Sequence, residues 1–155
     1  MAVAFYNAVH ETAHLSGLVV EGEIDDPKER KRIYWLHDNK VAPLMHGVSI
    51  SARSHRTSEA ALDLGLALHA FRRMAIDPAT GNVKLKRGSA QHREMHSGYV
   101  LCRTAFLNAA RADRWGERRS DAAIDGRAVV LRAIAAATNA PGADLDDAEA
   151  AEQSG

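Results

Sequence analysis

The chain has 155 residues, 46% hydrophobic and 26% charged, which fits a single globular domain large enough to bury a core. Aromatic residues make up only 5%, so aliphatic and alanine packing must supply most of the burial, and the lone Cys102 excludes an internal disulfide and a cysteine-based zinc site. Formal net charge is zero, yet Asp144, Asp146, Asp147, Glu149 and Glu152 gather at the end; setting those 5 aside leaves 20 bases against 15 acids, an excess of 5 on the body.

In chain order, residues 3–16 carry the first helical pattern, with Phe5, Val9, Ala13 and Leu18 along a stripe and Gly17 as its stop. LVVEGEI reads as a short strand or an extended link. Asp26 caps a second helix with Pro27 at its first position and Glu29 three residues after the cap; Pro43 sets its end before Val41. Residues 40–56 carry no clear pattern. Thr57 or Ser58 caps a third helix to about Ala75, with Ala61, Leu64, Leu68, Phe71 and Ala75 inward and Leu62 and Leu66 widening the apolar face.

DPATGN is a turn and VKLKR a short extended piece. Ser89 starts a long fourth helix whose seam is Met95, Tyr99, Cys102, Phe106 and Ala109. After Gly116, Ser120 caps a fifth, with Ile124, Ala128, Leu131, Ile134 and Ala135 inward and Pro141-Gly142 at its end. The expectation is an all-α fold, a four- to five-helix bundle with at most short extended segments, over residues 1–142. An acidic tail poor in large apolar residues, expected to be disordered, covers 143–155. No basic stretch leads into an apolar segment and no run nears the ~18 apolar residues that span a bilayer. The expected setting is the cytoplasm, of a host cell or of a virus assembled there.

One short motif carries chemistry. In His10-Glu11-Thr12-Ala13-His14 the histidines, four apart, share a helix face where both imidazoles reach one Zn²⁺, and Glu11 stands where a general base would activate the bound water. This string resembles the HExxH motif of zinc peptidases. Glu59-x-x-x-Asp63 resembles the ExxxD element of the gluzincins, which implies Glu59 as third zinc ligand and Asp63 as a residue orienting a ligating histidine. The metzincin continuation begins with Gly17 but meets Val20 where its third histidine belongs. Zinc peptidases also place a sheet before this helix, whereas the helical pattern here starts at residue 3.

His92 and His96 form a second pair four apart. Glu11-x-x-His14 has the spacing of carboxylate-bridged di-metal bundles, but the position three before His96 is Arg93. His37, His46, His55 and His69 stand singly, as surface or hydrogen-bonded core residues. No serine elbow or phosphate-cradling glycine loop occurs, and Cys102, on a buried stripe, is expected to be inert.

Arginine outnumbers lysine 15 to 5, and the bases cluster at 30–32, 53–56, 72–73, 84–87 and 111–119. Arg111, Arg114, Trp115, Arg118 and Arg119 combine guanidinium groups for phosphates with an indole able to stack on a base. The resulting expectation is a non-catalytic helical binding or assembly subunit, in a setting such as a nucleoprotein or virus-like complex. Its partner would be another protein, further copies of itself or a nucleic-acid backbone, with no membrane and no cofactor. The alternative is a zinc-dependent hydrolase using His10, Glu11, His14 and Glu59.

Overall fold

The computed structural model describes residues 1–115, short of the side chains of Arg114 and Trp115. The helices are α1 (Ala2–Glu21), α2 (Pro27–Leu36), α3 (Ala42–Ser51), α4 (His55–Ala75) and α5 (Ala90–Trp115). Among the described residues there is no strand, only one antiparallel bridge, Ile76 to Val83, so the fold is all-α. The segment read as a helix after Ser120 and the acidic tail lie outside the described residues. No described helix is long and apolar enough to cross a membrane.

Several boundaries differ from those the pattern suggested. Gly17 does not stop α1. An interior glycine costs about 1 kcal/mol relative to alanine, but Val19 and Val20, one turn further on, are buried. The helix ends instead at Gly22, whose φ of 79° lets its N–H reach the Val19 carbonyl at 3.2 Å while Glu23 N–H reaches Leu18 at 3.0 Å. Leu18–Glu21 is therefore the last helical turn and not a strand.

Asp26 caps α2 as expected, accepting from Lys28 N–H at 3.0 Å. Pro43 does not end the helical path. The chain widens into one π-helical turn, His37–Val41, in which Ala42 N–H bonds the His37 carbonyl, and continues as α3. Proline lacks an N–H and crowds the carbonyl four residues back, and the wider turn relieves both problems. Residues without a clear pattern are thus mostly α3. The cap of α4 is Ser54, accepting from Thr57 N–H at 3.2 Å, one turn earlier than expected.

Ala61, Leu64, Leu68, Phe71 and Ala75 are buried as the spacing required, but Leu62 and Leu66 are exposed on the opposite side of α4. On α5 the seam of Met95, Tyr99, Cys102, Phe106 and Ala109 is buried throughout, and Ser89 Oγ accepts from His92 N–H at 3.1 Å as its cap.

Two core clusters fix the relative directions. One joins Phe5 and Val9 of α1 to Leu64 and Leu68 of α4 and to Cys102 and Phe106 of α5. The other joins Val19 and Val20 to Phe71, Ala75 and Met95. The numbering rises together in α1 and α4 and falls in α5, so α5 runs antiparallel to both. Helix α4 packs against both α1 and α5.

The α4–α5 connection turns at Gly81, with φ 78°, against the start of α2; a Cβ there would lie 2.4 Å from the Pro27 carbonyl oxygen. Gly81→Ala is expected to lower the unfolding free energy by at least about 1–2 kcal/mol from the left-handed backbone alone. Chemical denaturation measures it, and an unchanged midpoint would refute this placement of the turn.

Candidate functional site

A cleft of about 370 Å³ lies between α1 and α5. Helix α1 contributes His10, Ala13, His14, Gly17, Leu18 and Glu21, α5 contributes His92, His96, Tyr99 and Arg103, and Phe71 of α4 completes the lining. Both i, i+4 histidine pairs of the sequence therefore face one space. Half of the chain's eight histidines are in it.

The vertical register follows from the Phe5–Phe106 contact, edge-on at 5.2 Å between ring centroids. His14 lies nine residues beyond Phe5 and His96 ten residues before Phe106. At ~1.5 Å per residue the two histidines stand at the same height to within about 2 Å. His10 and Arg103 lie toward one end, and His92 and Glu21 toward the other.

The lining groups differ in state. His10, His14 and His96 are exposed. His92 is half-buried; burial, then the neighbouring His96, holds it below the usual histidine value. Gly88 N–H donates to its Nδ1 at 3.3 Å, so its other nitrogen carries the proton in the neutral ring. Glu21 pairs with Arg87 at 3.8 Å. Arg103 Nε is buried with no hydrogen-bond partner. A Cβ built on Gly17 meets nothing within 4 Å, so the cleft is open above this residue.

The zinc-peptidase arrangement read from the sequence is dispersed. Glu11 does not line the cleft; its carboxylate pairs with Lys40 of the π turn at 2.5 Å. Glu59 pairs with His55 at 3.3 Å in the first turns of α4. It lies twelve residues from Phe71, the α4 residue in the cleft, or about 18 Å along the helix. Asp63 stands beside α5, where its charge acts on Cys102. Burial pushes the Cys102 thiol up to about 11, which makes it a poor nucleophile.

Of the arginine candidates, Arg111 is exposed on α5, while the side chains of Arg114 and Trp115, and all of Arg118 and Arg119, fall outside the described residues. Arg72, read as part of a basic cluster, is instead 1% exposed.

Arg72 anchors a second polar site that sequence reasoning missed. Its guanidinium donates to both Asp38 oxygens at 2.9 and 3.1 Å, to His69 Nδ1 at 2.9 Å and to the Tyr34 carbonyl, and lies 4.4 Å over the Tyr34 ring. His37, buried, bridges Asp38 Oδ1 at 3.2 Å and the Gly65 carbonyl at 3.1 Å. Ligand atoms of His37, Asp38 and His69 lie within 4.8 Å of one another, the one such trio among the described residues. Arg72 already donates to both Asp38 oxygens and to His69 Nδ1, however, and so takes up the lone pairs a metal ion would need. This network ties the π turn to α4.

The signal for the cleft was present in the two histidine pairs, but only the antiparallel course of α1 and α5, both packed on α4, brings them to one space. Comparisons with protein-family models, curated proteins and solved structures return no match to this chain.

Proposed function

We propose that this protein is a non-catalytic binding protein whose ligand seat is the cleft between α1 and α5. The observation that carries this reading is the cleft's makeup. Apolar Ala13, Leu18 and Phe71 form its body, the space above Gly17 is open, and His10, His14, His92, His96, Tyr99 and Arg103 converge on it as polar groups. A concave, mostly apolar pocket with a few convergent polar groups is the usual form of a small-molecule site. Arg103, half-buried on the lining, brings a guanidinium to the cleft. Catalysis by the HExxH route finds no support, because the carboxylate that would serve as base is held by Lys40, away from the cleft.

The test is a fragment titration of the full chain followed by amide NMR. Binders are expected to shift resonances of residues 10–21 and 92–103, and to lose that effect in Gly17→Trp, whose indole fills the open space. Binders that shift other regions, or that ignore Gly17→Trp, would overturn the reading.

A further inference from the structure

We infer that the cleft holds a late transition-metal ion of the Zn²⁺ class, bound by His10 and His14 of α1 and His96 of α5. The inference deepens the cleft reading above and rests on it. Its basis is the convergence of two helical histidine pairs on one space. Residues four apart on a helix present both imidazoles to one side, so His10 and His14 form a ready chelating pair. His96 stands at the height of His14 on the facing helix and supplies a ligand from across the cleft.

The side chains are free to close. His10, His14 and His96 are exposed, and the nearest open volume lies over Gly17, one turn from His14. The ligand atoms of these three residues do not lie within 4.8 Å of one another as they stand, so ligation takes rotation about their side-chain torsions toward that volume. His92 is not a ligand in this assignment, because the Gly88 N–H occupies its Nδ1 and leaves the proton on the nitrogen that would face the ion. It is placed instead to donate to a water or anion in the fourth position.

The ligand type selects the metal. Neutral imidazoles suit zinc, copper and nickel, whereas calcium and magnesium require oxygen ligands. The carboxylate lining the cleft, Glu21, lies at one end and is paired with Arg87. Three protein ligands and one open position match the coordination of an accessible zinc site. The geometry gives no base beside the ion, so the inference is of binding and not of hydrolysis.

The experiment is a titration of the chelator-stripped full chain with Zn²⁺ alone, read by calorimetry and by thermal melting. About one ion per chain is expected, with a rise in melting temperature because the ion binds only where α1 and α5 are folded together. His14→Ala and His96→Ala should each weaken binding by roughly tenfold or more, whereas His46→Ala and His55→Ala, at exposed positions outside the cleft, leave it unchanged. Affinity should also fall on acidification, because a metal ion competes with protons for its ligands.

Three results overturn the assignment: no zinc binding, binding indifferent to His14→Ala and His96→Ala, or two equal and independent sites per chain, which would mean that each helix acts alone. Failure of zinc with fragments still shifting the cleft resonances removes the metal and keeps the ligand seat. Loss of both removes the seat itself.

Discussion

Phe106→Ala is expected to lower the unfolding free energy by about 3–5 kcal/mol, the range for truncating a buried phenylalanine. Phe106 is 1% exposed and meets Phe5 edge-on, so one substitution removes both an aromatic pair and a fully buried ring of the cluster that joins α5 to α1 and α4. The surroundings cannot collapse easily. Much of the adjoining core is Ala8, Ala60, Ala61 and Ala109, whose methyl groups have no torsion with which to reach into a void. Phe106→Leu, which keeps most of the volume, should cost about 1–2 kcal/mol. Denaturant melts measure both variants, with an unchanged dependence on denaturant marking a loss of stability and not of compactness. A loss below about 1 kcal/mol for Phe106→Ala would show that the Phe5–Phe106 contact does not anchor α1 to α5. The register used to align His14 with His96 would then lose its support.

The helices were legible because their signals are local. Asp26-Pro27, Ser89 and the repeating apolar positions of α4 and α5 each act within a turn or two of sequence, and each holds in the structure. Two kinds of feature were not legible. The first is the π turn, where Pro43 suggests a stop by its local chemistry. The fold instead keeps the helical path, because a wider turn accommodates the proline and places Val41 and Val48 in the core. The second is pairing across the structure. Arg72 looks like a surface base in sequence, and only the arrival of Asp38, thirty-four residues earlier, explains its burial. The cleft belongs to the same class. Its histidine pairs were visible, but the first was set beside Glu59 by resemblance to a peptidase pattern, whereas the antiparallel course of α5 brings His92 and His96 there instead. Leu62 and Leu66 show the converse error, apolar residues assigned inward that face outward on α4.

Asp38→Asn is expected to cost about 2–3 kcal/mol at neutral pH, toward or just below the lower end of the range for breaking a buried ion pair. The Asp38 side chain is 40% exposed, so water already screens part of the attraction. The partner sets the size of the loss. Arg72 is 2% exposed at its side chain, and without the carboxylate its charge is left with neutral partners alone, the introduced amide, the Tyr34 ring and carbonyl and the His69 nitrogen. Arg72→Met in the Asp38→Asn background should therefore restore part of the stability, since it removes the stranded charge and keeps apolar volume. A double-mutant cycle measures that coupling.

Acid should separate the members of the network. Burial, then the charge of Arg72, holds His69 below the usual histidine value, and Arg72 donates to its Nδ1, which must stay unprotonated. A histidine depressed in the folded state takes up its proton more readily when unfolded, so stability declines as pH falls below about 6.5. For Asp38, burial pushes the carboxyl up, but the His37 hydrogen bond and the Arg72 guanidinium outweigh it and the net position is below the ordinary value. Its contribution is present above about pH 4 and is lost as pH falls through the lower folded value. Wild type should thus lose stability in two stages on acidification. Asp38→Asn should keep the first stage and flatten the second. A loss under about 1 kcal/mol at neutral pH, or an acid limb identical to wild type, would mean that the π turn is held by packing alone and that Arg72 is buried at no electrostatic cost.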